Sequence, residues 1–359
     1  MFLLNDPAFM RSLRRALAAL LSLSLLNALP AVSAEQCEQV KDYREINKTV
    51  REDQCIVYTG NQVITNDDLA VLGKLYIQTN ASLHFEDNSR LLLSKQGELT
   101  NRGNMSFKNK GMISLYQESK LNTQGDFSLV NESEVHVFDK AMLRSSGSFT
   151  VKDLSRVIVT EQGMIESLGY FDFFASELEF SGRYFNNMGT VTLLDQSKFT
   201  FTDEAEFLSK GYVEVKAESI MEFKDSTRLN SYKHFNVGGF LFVSNNTHFV
   251  NRGIFSTLPG SIFLLTDSSY MENRKQVYFN GSFNSSDQTQ IKNIGTMIFR
   301  QRSESQLLNA ARLVNTGNLR NQGKLTYDER QLENHNTFFD DTKAGATTAE
   351  QKKQMFLRK

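Results

Sequence analysis

A glycine returns along the chain at a nearly fixed interval, and no other feature restricts the fold as tightly. Gly103, Gly125, Gly147, Gly169, Gly189, Gly211, Gly253, Gly295 and Gly317 stand in series, with Lys233 and Lys275 filling the two gaps. Successive spacings are 22, 22, 22, 20, 22, 22, 20, 22, 20 and 22 residues. A period of this length belongs to repeat architectures, in which each unit is stable only against its neighbours.

Within the unit the apolar residues keep their phase. Gly125 leads Phe127, Leu129, Val135, Val137 and Leu143, and Gly147 leads Phe149, Val151, Val157, Val159 and Ile165. Gly189 and Gly211 repeat the pattern, and Ala81 extends it backward through Leu83, Phe85, Leu91, Leu93 and Leu99. Three short segments per unit therefore alternate at period 2, the spacing of strands and not of a helix. The expected fold is all-β, a single-domain parallel β-helix of about 12 to 13 rungs over residues 59–335, roughly 60 Å long at one strand spacing per rung. In that register Phe127 lies between Met105 and Phe149. The mature chain keeps one proline, Pro259, as uninterrupted strands require.

Two polar columns accompany the period. Two residues before each marker stand Asn101, Thr123, Ser145, Ser167, Asn187, Ser209, Ser231, Asn251, Asn273, Asn293 and Asn315; eight residues after it Ser89, Ser133, Ser155, Ser197, Ser219, Ser261 and Ser303 recur, with Gly111 an exception. Stacked small polar side chains satisfy turn groups that a tight corner would bury unpaired. The three 20-residue units, from Gly169, Lys233 and Lys275, are expected to lose two residues in the middle. Tyr170-Phe171-Asp172-Phe173-Phe174 and Phe240-Leu241-Phe242 fall in such units and place some aromatics outward, for a ligand or beneath a side loop.

Arg11, Arg14 and Arg15 precede an apolar run from Ala16 to Leu26, closed by Pro30 and Ala31-Val32-Ser33-Ala34. Residues 1–34 read as a secretory signal peptide, with an uncleaved membrane anchor as the alternative. No later segment has the length and apolarity of a transmembrane helix. The leader holds three arginines and one aspartate, so its removal takes the formal charge from −1 to −3. That balance argues against nucleic acid as a partner. Cys37 and Cys55, the chain's two cysteines, are expected to pair in the oxidising compartment, fastening an N-terminal cap over residues 35–58 and contributing roughly 3 kcal/mol. Residues 336–359 read as a polar tail.

The search for chemistry yields no catalytic, cofactor or metal residues. His84, His136, His234, His248 and His335 are scattered in phase, and Asp67-Asp68 and Asp340-Asp341 lie near the ends. Neither a carboxylate column nor a zinc or phosphate motif emerges. Seven N-x-[ST] sequons, at Asn47, Asn80, Asn104, Asn131, Asn245, Asn280 and Asn284, avoid clearly inward positions, as N-glycosylation requires.

Phe185-Asn186-Asn187-Met188-Gly189, Phe249-Val250-Asn251-Arg252-Gly253 and Leu313-Val314-Asn315-Thr316-Gly317 share the form Φ-x-N-x-G. Over about residues 81–337 this resembles the N-terminal β-helix domain of fungal hyphally regulated cell-wall proteins, although no Ser/Thr-rich stalk or anchor signal follows. The resemblance implies a secreted or surface-displayed, non-enzymatic protein, structural in the wall or adhesive, whose partners are a cell-wall glycan or a cell-surface ligand. The alternatives are a bacterial adhesin of the autotransporter or haemagglutinin type and a polysaccharide-degrading β-helix enzyme.

Overall fold

A computed structural model describes residues 37–342; the signal-peptide reading over 1–34 and most of the polar tail lie outside them. The chain divides into a leading unit that ends at Glu38 and a second unit from Gln39 onward. The second unit is a parallel β-solenoid of about 14 turns.

Three parallel sheets wall the solenoid, and each rung contributes one strand to each. Sheet I has 14 strands and contains Asn104–Lys108; sheet II has 14 and contains Met112–Leu115; sheet III has 15 and contains Lys120–Thr123. Register follows the period residue for residue. Met105 pairs with Phe127 and Phe127 with Phe149 in sheet I, Ile113 with Val135 in sheet II, and Leu121 with Leu143 in sheet III. Identical phases therefore stack, which is why the apolar pattern is visible along the chain.

Alternate residues of every strand point inward and form one continuous core. Phenylalanine fills much of it in stacks along the axis. Phe127, Phe149 and Phe171 follow one another with centroid separations of 4.6 and 4.5 Å. Rings a strand spacing apart lie at favourable stacking distance, so a repeated Phe adds ring contact to its burial.

The marker glycines are required by close approach and not by a left-handed backbone. A Cβ on Gly169 would lie 2.2 Å from the Gly147 carbonyl oxygen, and one on Gly211 1.9 Å from that of Gly189. The corners obtain their left-handed residues elsewhere, mostly from Asp and Asn such as Asp203, Asp225, Asn245, Asp267 and Asp287, all with φ between 57° and 67°. Short carboxylate and amide side chains tolerate that conformation best after glycine. They also stack: Asn245 Nδ2 donates to Asp225 Oδ1 at 2.9 Å, and Asn309 Nδ2 to Asp287 Oδ1 at 3.1 Å.

The short rungs are of two kinds. In the units from Lys233 and Lys275 both missing residues come from the corner between sheets I and II, leaving Gly238-Gly239 and Asn280-Gly281. In the unit from Gly169 the loss is split, one residue from each corner flanking Glu177–Phe180.

Stacking begins and ends beyond the span expected from the period. Strands Thr49–Val50 and Cys55–Tyr58, inside the segment read as a cap, already pair with Asp68–Val71 and Lys74–Ile77. At the other end Thr337–Asp340 pairs with Asn318–Asn321. The alternation fades there because Phe338 is only half-buried and Phe339 faces solvent. Cys37 and Cys55 are both disulfide-bonded.

Candidate functional site

The corner columns are structural, and the asparagines form the longest ladder. Asn251, Asn273, Asn293 and Asn315 are fully buried. The Nδ2 of each donates to the Oδ1 of the next, at 2.9, 2.7 and 2.7 Å, and Asn315 donates to Asn334 at 2.6 Å. A second bond from each Nδ2 reaches a carbonyl of the following rung, as from Asn273 to Thr296 at 2.8 Å. The serine column is buried likewise, most of its hydroxyls donating to corner carbonyls, as from Ser197 to Leu194 at 2.6 Å. A third column, of buried small residues between sheets II and III, escaped the sequence reading: Ser119, Ala141, Ala205, Thr227, Thr247, Ser269, Thr289 and Ala311.

The histidines remain apart. His84 and His234 lie on sheet I, His136 on sheet II, and His248 on sheet III, with His335 just beyond its last strand. Burial lowers the His84 pKa, helped by the Lys108 ammonium, and its Nδ1 lies 2.6 Å from Ser106 Oγ. His136 Nε2 meets Glu134 Oε2 at 2.7 Å. Asp67 accepts from Lys48 at 2.6 Å, which holds its carboxyl below the usual range. Burial would raise Glu272, but bonds from Arg274 and from the Tyr270 hydroxyl, the latter at 2.9 Å, hold it below its ordinary value; Tyr270 is itself pushed up to about 12 by burial and by that bond. Among the described residues no group of three or more His, Cys, Asp or Glu is placed to hold a metal ion.

Of the sequon asparagines, Asn47, Asn80, Asn104, Asn131 and Asn245 are exposed, and Asn280 and Asn284 are half-buried. The outward aromatics of the two runs are where alternation puts them. Tyr170 is 63% exposed and Phe174 lies under the Lys152 ammonium, 4.8 Å from its ring centre, while Phe171 and Phe173 are buried. Among the described residues no side loop covers them, since between Lys74 and Thr326 the strands are joined by corners of two to four residues.

Sheet II carries the two most distinctive outer surfaces. Ile220 pairs with Phe240 and Phe240 with Ile262, while beside them Phe242 pairs with Leu264. These five half-buried apolar side chains cover three adjacent rungs, with the Phe240 and Phe242 rings stacked at 6.1 Å. Glu222 and Asn284 bound the stripe. Nearer the start of the sheet, the short rung recesses Glu177–Phe180 and leaves a depression of about 330 Å³. Glu179 at its edge is held by Arg156, which also lies 3.6 Å from Glu177 and 3.7 Å from Glu134. Only Phe240 and Phe242 of these surfaces belong to runs singled out by composition; the rest required the register.

Residues 40–282, more than half of the chain, match the sequence profile of the Discoidin-inducing complex B-subunit family. No curated protein and no solved structure matches the chain. The chain belongs to the family of Discoidin-inducing complex B subunits.

Proposed function

We propose that this chain is a secreted, non-enzymatic β-helix that acts as a structural and adhesive component of an extracellular protein assembly. The apolar stripe Ile220, Phe240, Phe242, Ile262 and Leu264 carries this reading. A solvated sheet face ordinarily alternates polar residues outward, and a contiguous apolar group on it is the composition of an interface centre. The family's name, that of one member of a complex, supports a protein as the occupant of that stripe. Secretion is supported by the leader-like residues 1–34, by a disulfide, which persists in oxidising compartments, and by sequons at which no asparagine is fully buried. The Φ-x-N-x-G resemblance to wall proteins agrees with display outside the cell.

The test is the native mass of the protein recovered from the medium of its producing cells. Light scattering should give a mass well above that of one chain for the wild type. Phe242→Asp, an outward change that spares the core, should weaken the assembly about thirtyfold, an interface cost of about 2 kcal/mol, and return the mass to a single chain. A wild-type protein that elutes as one chain, or a Phe242→Asp variant that assembles unchanged, overturns the proposal.

A further inference from the structure

A column of equivalent positions runs from the recess of the short rung to a pair of stacked aromatic rings. Tyr116, Phe138, Thr160, Ser181 and Thr202 occupy the same place in five successive rungs: each stands just after its sheet II strand and donates its backbone N–H to the rung before, Phe138 to Leu115, Thr160 to Val137, Ser181 to Val159 and Thr202 to Phe180. Tyr116 and Phe138 are stacked at 4.9 Å with 17° between their planes, and Tyr116 is 37% exposed. From Thr160 onward the column becomes hydroxyls and enters the depression, which Thr200, Lys198, Lys224 and Glu177 also line.

We infer that this groove binds a neutral oligosaccharide lying along the solenoid axis. Three features select that chemistry. With their ion-pair partners counted, three carboxylates, Glu177, Glu179 and Glu222, stand against three cations, Arg156, Lys198 and Lys224, so the site has no net charge with which to prefer an anion or a cation. It is nevertheless dense in donors and acceptors, which a polyhydroxylated ligand can pair and an apolar peptide cannot. The Tyr116–Phe138 stack, its ring faces turned on one another, presents apolar ring edges and the Tyr116 hydroxyl, against which the C–H groups and hydroxyls of a sugar can pack. The geometry favours a linear glycan because the contact groups recur every rung, about 4.8 Å apart, a step close to that of one sugar unit. Arg156 already fixes Glu179, so little side-chain freedom is lost on binding. No sequon falls between Glu132 and Ser244, so no N-linked glycan of the chain itself starts on the rungs of the depression.

Calorimetric titration of the folded, secreted protein with cello-, manno- and chito-hexaose, and with a heparin hexasaccharide as the anionic comparison, tests the inference. At least one neutral hexaose should bind saturably. Phe138→Ala and Glu179→Gln should each weaken it at least tenfold, while Phe242→Asp, on the apolar stripe, should leave it unchanged. Both groove variants alter outward side chains, and unchanged melting curves establish that they remain folded. The inference is overturned if no neutral hexaose binds at millimolar concentration, if heparin alone binds, or if both groove variants bind like the wild type. The Phe242→Asp arm separates this result from the assembly proposal, since loss of assembly with retained sugar binding leaves the groove intact.

Discussion

At the scale of single residues, the marker glycines and Gly260 answer to different constraints. A Cβ at Gly169 would sit 2.2 Å from the Gly147 carbonyl oxygen, closer than any real contact, and that oxygen is corner backbone held by the Tyr170 N–H at 3.1 Å. Gly260 has φ +84° and nothing within 4 Å of a Cβ. Gly169→Ala should therefore cost about 2–3 kcal/mol through overpacking, and Gly260→Ala about 1 kcal/mol through backbone strain alone. Urea midpoints of the two variants against the wild type check the order. The sequence shows where the glycines recur but not why, because close approach and left-handed backbone both select the same residue. Only the φ values distinguish them, and they put the left-handed positions mostly on Asp and Asn, with others such as Lys110, Leu154 and Ala175, and not on the marker glycines.

At the scale of the repeating element, the Asn ladder fastens successive corners. Asn293 donates to Asn315 Oδ1 and to the Asn318 carbonyl at 2.7 and 3.1 Å, and accepts from Asn273 at 2.7 Å. Asn293→Ala removes all three bonds in a buried setting and should destabilise the protein by about 2–4 kcal/mol. Asn293→Ser should cost less, since Ser209 and Ser231 fill the same column naturally. Melting temperatures, with faster amide exchange confined to the rungs around Asn273 and Asn315, are the measurements. This column and the serine column were legible because one chemistry repeats at one offset. The column of Ser119, Ala141, Thr227 and Ala311 was not, because only small size unites its members. The Φ-x-N-x-G motif is explained in the same terms: in Phe249-Val250-Asn251-Arg252-Gly253 the Phe is core, the Asn belongs to the ladder, and the Gly clears the rung below. Each position is set by the corner, so the motif reports architecture.

At the scale of the whole solenoid, the two surfaces on which the proposals rest are departures from the repeat. The short rung at Glu177–Phe180 creates the depression, and the apolar stripe appears where Phe240, Phe242, Ile262 and Leu264 break the polar outer pattern. Neither surface could be assembled from the sequence without the register, because its residues are 20 to 22 positions apart and belong to different rungs. The short rung was visible as a 20-residue interval, but the placement of its two missing residues, one from each corner flanking Glu177–Phe180, was not.

Both surfaces rest on one register, and electron-spin distance measurements test it directly. Ser114, Glu222 and Gln306 are outward sites of sheet II separated by 108 and 192 residues from the first to the second and third. They lie five and nine strand steps apart in the sheet. Spin labels on Ser114→Cys with Glu222→Cys should report about 24 Å, and on Ser114→Cys with Gln306→Cys about 43 Å, a constant step of about 4.8 Å per rung. Distances that do not grow in proportion to the number of rungs would contradict the stacking and, with it, both surfaces built upon it.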